Sequence, residues 1–284
     1  MNKNTIGHLN YLIIGHVTRD IQKGGSTLGG SAAYSAICAR ALGRTPAILT
    51  AGEKSHPIQE LNGLLIKWKT STHSTTFENK ETDHGREQIL HSVADPLLPE
   101  DVPLDWRSST IVHLGPVAGE VDPGIIDIFP DSFIGLTPQG WMRARDENNA
   151  VHFHPWDHSD RLLQRADAVV LSIEDVMGDE DLIQSYVSRT NILVVTEGYN
   201  GARVYWKEDV RHFSAPKVPV VDPVGAGDIF ATAFFDRLET TCDPWESARR
   251  AIQIASRSVT RVGLAGVPTT REIRSFQIEV IEGK

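Results

Sequence analysis

The stretch DPVGAGDIFATAFF, residues 222–235, places two glycines and an alanine directly ahead of an acid and an apolar run. Asp228 therefore falls in the first turn of a predicted helix, whose leading amides have no partner within the helix. Because Gly225, Ala226 and Gly227 carry little or no side chain, an anion can approach those amides closely. A carboxylate beside such a turn suits phosphoryl transfer, in which the acid accepts a hydroxyl proton. The alternative is an acid that only stabilises the start of a helix.

The composition is that of an ordinary globular protein. The chain has 284 residues, of which 40% are hydrophobic and 23% charged, enough for the core of a large α/β domain. The net charge of -9 argues against nucleic-acid binding, which needs a basic surface. The cysteines lie in no paired motif and no apolar run is long enough to span a bilayer, so we expect a cytoplasmic protein without a disulfide framework or zinc module.

Short continuous apolar runs recur along the chain, and helix-like stretches lie between several of them. Continuous runs are typical of strands that are buried on both faces. Their alternation with helices predicts a mostly parallel sheet covered by helices on both sides, a three-layer α/β/α fold. The runs are YLIIG (11–15), PAILTA (46–51), IVHLG (111–115), FIGLT (133–137), AVVLS (168–172) and ILVVTEG (192–198).

One segment, from Trp68 to His91, breaks this pattern. It is polar, rich in threonine and locally alternating. Such a pattern predicts exposed strands and turns rather than core. We interpret it as a candidate β lid over a substrate, the alternative being a surface loop without function.

Five motifs, in order along the chain, resemble those of the ribokinase-like, or PfkB-type, carbohydrate kinases. DPVGAGD (222–228) is similar to the DTxGAGD signature of that family. The others are GHVTRDI (15–21), LGGSAAYSAICARALG (28–43), STTFEN with GREQIL (74–79 and 85–90) and VTEGYNGARVY (195–205). No P-loop, Rossmann or protein-kinase motif is present. Since a helix cap would not predict the other four motifs, we favour the functional interpretation of Asp228.

The resemblance implies a single ribokinase-like kinase domain over residues 1–284, in which residues 68–91 and part of 16–27 form the lid. It implies ATP-dependent phosphorylation of a hydroxyl on a small sugar or polyol, with Mg²⁺ carried by the nucleotide and K⁺ or another monovalent cation near Asp222. The partners are then small molecules, with no nucleic acid or membrane, and a homodimer through the lid is plausible. A nucleoside kinase of the same family and a catalytically silent relative that binds a sugar or a partner protein are the alternatives.

The same resemblance assigns roles to individual residues. Asp228 is the catalytic base, and the amides of Gly225, Ala226 and Gly227 form an anion hole. Nucleotide binding falls to Thr196, Gly198 and Gly201, although these residues also suit a simple hairpin turn. The substrate-binding residues are Asp20, Gly29, Gly30, Tyr34, Thr76, Glu78 and Arg86.

Three positions depart from the family pattern. Tyr34 stands where the family has an asparagine, and a phenol cannot reproduce an amide's paired donor and acceptor, which weakens an assignment to ribose or fructose and permits a differently shaped polyol. The resemblance extends to inositol kinases of the family, which tolerate an aromatic residue near this place, and so implies an inositol-like substrate as one candidate. SIED (172–175) replaces the NxxE motif, so Asp175 becomes the candidate for binding magnesium through water. Pro223 replaces a threonine and removes a backbone N–H. The histidines of HFHPWDHSD (152–160) match no common metal site, and we expect a polar surface loop there.

Overall fold

The chain forms a large sheet, a smaller sheet and a short hairpin. A computed structural model describes residues 9–22, 24–56, 58–82 and 85–276, with the backbone alone for residues 81, 82, 85 and 86; the predicted role of the Arg86 side chain therefore lies outside the described residues. The strands are β1 (Tyr11–Ile14), β2 (Thr18–Gln22), β3 (Gly25–Gly29), β4 (Pro46–Gly52), β5 (Leu65–Thr70), β6 (Thr76–Thr82), β7 (Gly85–Ser92), β8 (Ile111–Leu114), β9 (Phe133–Leu136), β10 (Arg143–Arg145), β11 (Val151–Phe153), β12 (Ala168–Ser172), β13 (Ile192–Thr196), β14 (Ala202–Trp206) and β15 (Asp209–Phe213). The helices are α1 (Ser31–Ala41), α2 (Ser159–Arg165), α3 (Glu180–Val187), α4 (Ala226–Thr241), α5 (Pro244–Ser258) and α6 (Thr270–Ser275).

The large sheet has the strand order β15-β14-β13-β12-β9-β8-β1-β4-β5. All six predicted apolar runs became strands of it, and they pair with one another in parallel. Only β14 and β15, at one edge, run antiparallel. The carboxyl ends of the parallel strands therefore lie along one edge of the sheet, where ligands of open α/β folds bind.

Helices cover both faces of this sheet. Along β1, Tyr11 and Ile13 pack against α1, α4 and α5, whereas Leu12 and Ile14 belong to the opposite core with α2 and α3. This alternation follows from the period of two along a strand. The predicted three-layer α/β/α fold with a mostly parallel sheet is confirmed.

The small sheet, as we call β2, β3, β6 and β7, has the order β3-β2-β6-β7. It holds most of the segment predicted to form a lid, but the boundary differs at Trp68. That residue lies in β5, which pairs in parallel with β4, and its indole Nε1 donates to the carbonyl oxygen of Gly52 at 3.0 Å. β5 alternates between polar and apolar residues because it is an edge strand of the large sheet with one partner, not because it belongs to the lid.

A hairpin of β10 and β11 stands apart from both sheets in strand pairing. It contacts β7 of the small sheet through an isolated bridge between Ile89 and Ala150. Within the described ranges, none of the helices has the length and apolar character that crossing a bilayer requires.

Candidate active site

The glycine turn leads into α4 and lies against the ring of Tyr34. Gly225 has φ 77°, in the left-handed region that favours glycine, and a β-carbon there would lie 2.2 Å from Cδ1 of Tyr34. The Ala226 amide donates to the carbonyl oxygen of Pro223 at 3.2 Å. Among the described residues, none accepts a hydrogen bond from the amides of Gly225 and Gly227. The prediction assigns three amides to the anion hole. In the structure the Ala226 amide instead closes the turn.

Asp228 lies in the first turn of α4, where the sequence places it. Its carboxylate hydrogen-bonds to the side chain of Ser31, the first residue of α1. Asp228 is partly exposed, but protein atoms enclose its carboxylate, and this burial raises the pKa of Asp228 to about 6. The Ser31 hydrogen bond and the charge of Arg143 act in the opposite direction and lower the pKa. Such a carboxylate is ionised at neutral pH yet accepts a proton more readily than an exposed aspartate, as a general base requires.

The paired glycines that open α1 are required by close contacts. A β-carbon at Gly29 would lie 2.2 Å from Oδ2 of Asp20, and one at Gly30, where φ is 87°, would lie 2.4 Å from the carbonyl oxygen of His16. Oδ1 of Asp20 accepts a hydrogen bond from the Thr18 hydroxyl at 2.8 Å. The glycines therefore let the Asp20 carboxylate lie directly against the backbone that leads into α1.

Tyr34 contacts the glycine turn, and its phenol lies near three carboxylates. Only 3% of its surface is exposed. Burial raises the pKa of its phenol well above the usual value, and the nearby carboxylates of Asp222, Asp228 and Asp20 raise it further. The phenol is therefore neutral, and the predicted base and the predicted substrate-binding acid both lie close enough to raise its pKa.

Thr76 and Glu78 lie on the small sheet, but on the face opposite Asp20. In the parallel pairing of β2 with β6, Asp20 stands beside Phe77, and neighbouring side chains alternate between faces. The Thr76 hydroxyl donates to a backbone carbonyl at 2.9 Å, and the Glu78 carboxylate bonds to His91 at 2.9 Å. The substrate-binding roles of these two residues stay predictions, and Phe77 is the residue of β6 that shares the face of Asp20.

Asp175 belongs to a short 3₁₀ helix, Ile173–Val176, and both of its oxygens have partners within the protein. Oδ2 accepts from the Ser172 amide at 2.8 Å, and Oδ1 accepts from the Gln139 side chain at 3.1 Å. Nowhere in the described ranges, the histidines of 152–160 included, do three or more His, Cys, Asp or Glu side chains group so that they could hold a metal ion. The role of Asp175 towards magnesium stays a prediction.

The predicted nucleotide-binding residues lie in the connection between β13 and β14. Thr196 ends β13, and Gly198 begins a 3₁₀ turn. Gly201 has φ 107°, and a β-carbon there would lie 1.9 Å from the carbonyl oxygen of Phe213. The two strands pair antiparallel, so the hairpin interpretation is confirmed, while the nucleotide role stays a prediction.

Three side chains near Asp228 are absent from the predictions. Ser31 bonds to its carboxylate, the charge of Arg143 acts on it, and Gln139 holds Asp175. Gln139 and Arg143 lie in the segment TPQGWMR (137–143), which directly follows β9. A charged residue soon after the end of a parallel strand is a usable signal, because ligands bind beyond those ends.

Known proteins resemble this chain in sequence and in fold. The model of the pfkB family carbohydrate kinases matches residues 165–270. The resemblance to the PfkB-type carbohydrate kinases is confirmed. The PfkB-type segment includes Thr196, the glycine turn and Asp228, whereas Asp20 and Tyr34 lie outside it.

Two curated relatives of this chain are sugar or polyol kinases by name. An inositol 3-kinase of Zea mays is 32% identical over 208 residues, which cover 70% of this chain and 52% of the relative. A fructokinase of Escherichia coli is 29% identical over 192 residues, which cover 60% of this chain and 62% of the relative. The chain thus spans less than two thirds of the length of these relatives.

Solved structures extend the likeness beyond the PfkB-type segment. A pyrophosphate-dependent kinase in the ribokinase family, complexed with a pyrophosphate analog and myo-inositol, has a TM-score of 0.79 at 20% identity, covering 94% of this chain and 100% of that one. Ribokinase of Arabidopsis thaliana, complexed with ribose and ATP, has a TM-score of 0.74 at 17% identity, covering 95% and 98%. At such identities the likeness establishes the fold, and the ribokinase-like architecture is confirmed for nearly the whole chain.

Proposed function

We propose that this protein is an ATP-dependent kinase that phosphorylates a hydroxyl group of a small sugar or polyol, with an inositol-like ring as the first candidate. One observation carries the proposal: Asp228 directly follows the unpaired amides of the glycine turn, and its carboxylate and that of Asp20 both lie close enough to Tyr34 for their charges to act on the phenol. A base, an anion-binding backbone and an acid able to hold hydroxyl groups would together suit phosphoryl transfer to a polyol. The names of the curated relatives support a carbohydrate or polyol acceptor.

In the proposed reaction the acceptor lies between Asp20 and Asp228. The Asp20 carboxylate accepts hydrogen bonds from neighbouring hydroxyls of the acceptor, because its Oδ2 lies along the open backbone of Gly29. Asp228 takes the proton of the attacking hydroxyl. The oxygen of that hydroxyl then forms the new bond to the terminal phosphorus of the donor. The bond from that phosphorus to the bridging oxygen breaks, and the leaving diphosphate keeps the electron pair. The amides of Gly225 and Gly227 stabilise the negative charge on the transferred group.

The donor is proposed to lie beside the glycine turn. Val220, Val221 and Val262 are exposed there, and the amides of Val221 and Asp222 donate to the Val259 carbonyl, which ties their segments together. Exposed apolar side chains beside an anion-binding turn suit the flat ring of a nucleobase. Magnesium would neutralise charge on the donor phosphates and enter with them, and Asp175 is the proposed acid that reaches it through water.

Pyrophosphate is a second candidate donor, because a kinase with this fold is known in complex with a pyrophosphate analog and myo-inositol. Its terminal phosphoryl group would occupy the same turn, but it would leave the exposed valines without a contact. For the acceptor, a nucleoside and a catalytically silent sugar-binding function are the alternatives. A monovalent cation near Asp222 and a homodimer through the small sheet stay predictions.

The test is release of the leaving group from Mg-ATP, and in parallel from magnesium pyrophosphate, with myo-inositol, fructose, ribose, adenosine and cytidine as acceptors. Asp228→Asn is run beside the parent protein, since it keeps the shape of the side chain but removes the base. We expect a polyol to turn over and the variant to lose at least about 100-fold in kcat. Turnover of a nucleoside alone would overturn the acceptor class. Equal rates for parent and variant would overturn the role of Asp228.

A further inference from the structure

The hairpin of β10 and β11 is fixed at both of its ends. At its tip, the Leu90 amide of β7 donates to the Asn149 carbonyl oxygen at 2.9 Å, next to the bridge between Ile89 and Ala150. This places the tip on the small sheet. The hairpin therefore links the small sheet to whatever holds its root.

The other end of the hairpin, residues 140–142 and 154–156, is held by ring stacking and backbone hydrogen bonds. The indole rings of Trp141 and Trp156 stack with centroids 5.6 Å apart and an interplanar angle of 9°. The His154 amide donates to the Met142 carbonyl at 2.9 Å, and the Gly140 amide donates to a backbone carbonyl at 2.9 Å. Paired aromatic rings and backbone hydrogen bonds leave the start of β10 little freedom to shift.

Arg143, the first residue of β10, lies between the hairpin and the small sheet. Its Nη1 lies 3.5 Å from the carbonyl oxygen of Val117. It also lines a cavity of about 100 Å³ together with Phe77 and Leu90 of the small sheet. The guanidinium is therefore close to the face of the small sheet that carries Asp20.

A second line of contacts leads from Arg143 to the base. The backbone that contains Val117 begins at Gly115, where a β-carbon would lie 3.2 Å from Cβ of Ser31. Ser31 in turn bonds to the Asp228 carboxylate, and Arg143 is close enough for its charge to act on Asp228. The loop from Gly115 to Val117 thus contacts both Arg143 and the serine that bonds to the base.

We propose that Arg143 binds the phosphoryl group as it is transferred, and that the hairpin linked to the small sheet positions it there. This inference rests on the proposed kinase function. A guanidinium donates to two phosphoryl oxygens at once and cannot lose its proton at working pH, so it offsets charge that builds up in the transition state. Asp228 accepts the hydroxyl proton, the new oxygen–phosphorus bond forms and the old one breaks as above, and Arg143 contributes hydrogen bonds only.

The rival account is that Arg143 only holds the loop at Val117. The two accounts differ in what they predict for Arg143→Met and Arg143→Lys. Methionine keeps much of the side-chain volume but removes the charge, whereas lysine keeps the charge without the planar fork. Arg145→Met is the matched control, because the exposed Arg145 lines the same cavity two positions along the strand, whereas the charge that acts on Asp228 is that of Arg143.

The experiment measures kcat, the KM for the donor, the pH dependence of kcat/KM and the thermal unfolding temperature of each variant. We expect Arg143→Met to lose at least about 100-fold in kcat at an unchanged unfolding temperature, and Arg143→Lys to recover part of the loss. The acidic limb of the pH profile should move to higher pH in Arg143→Met, because the positive charge no longer favours the ionised form of Asp228. Arg145→Met should match the parent.

A kcat for Arg143→Met within about threefold of the parent, with an unmoved acidic limb, would overturn the proposal. If Arg143→Met unfolds, Arg143→Lys decides: a folded lysine variant with the parent's kcat overturns the proposal, and a folded one at least about tenfold slower supports it. A parent protein that turns over none of the acceptors would overturn the kinase proposal, and this one with it. A parent that turns over while Arg143→Met keeps pace overturns this inference alone.

Discussion

At the scale of single residues, two glycines of the same turn differ in backbone conformation and in the space around them. Gly225 has a positive φ and lies against Tyr34, whereas a β-carbon at Gly227 would meet no atom within 4 Å. We expect Gly225→Ala to destabilise the protein by at least about 2 kcal/mol, because the methyl group meets the ring and the backbone is strained.

Gly227→Ala is the matched control for stability. It should leave the free energy of unfolding unchanged or raise it by up to about 1 kcal/mol, since alanine favours a helix. Urea unfolding of both variants measures the difference. Equal stabilities would show that Tyr34 does not fix the turn.

The raised pKa of Asp228 predicts the pH dependence of the reaction. A base acts in its ionised form, so kcat/KM should fall as the pH drops through about 6, the pKa of Asp228. Ser31→Ala removes a hydrogen bond that favours the ionised form, and the acidic limb should then move to higher pH. Initial rates between about pH 5 and pH 8 measure both effects. An acidic limb near the usual value for an exposed aspartate, in both proteins, would contradict the prediction.

At the scale of elements, Arg44, in the loop that follows α1, forms ion pairs with α4. Its Nε lies 2.7 Å from Oδ1 of Asp236, and its Nη2 lies 2.7 Å from Oε2 of Glu239. These side chains are mostly buried, and burial raises the pKa of Asp236. Arg44→Met leaves two carboxylates without their partner, so we expect a loss of about 1.5–3 kcal/mol.

Arg40→Met is the control for that substitution, because Arg40 is an exposed arginine that donates to the Asn62 carbonyl oxygen. Its effect should stay within about 0.5 kcal/mol. Denaturant unfolding at neutral pH compares the two variants. A parent-like stability of Arg44→Met would show that α1 and α4 are held by their apolar contacts alone.

At the scale of the whole molecule, the small sheet carries Asp20 and is linked to the hairpin, and we propose that both close over the ligands. We expect them to exchange amide hydrogens more slowly when a non-hydrolysable ATP analogue and the acceptor are bound together, because closure over both ligands removes water from their backbone. Hydrogen exchange followed by mass spectrometry should show protection in residues 76–92 and 143–153. Helix α2 is the internal control, and unchanged exchange in the small sheet would contradict a lid function.

Much of the architecture is determined by the sequence alone. Continuous apolar runs such as 11–15 and 168–172 became parallel strands because only a strand covered on both faces can bury every side chain of such a run. The glycine turn before Asp228 became the start of a helix because local backbone conformation depends on neighbouring residues. These features need no knowledge of distant contacts.

Only the tertiary structure decided which side chains meet. Alternating polar residues at 68–91 do not reveal that Trp68 joins the large sheet or that Glu78 faces away from Asp20, because a shift of one residue exchanges the faces of a strand. Nor does the sequence show that the Tyr34 ring lies on Gly225, or that Arg143 acts on Asp228. Such contacts join segments far apart in the chain, and strand order and register, which no local pattern encodes, bring them together.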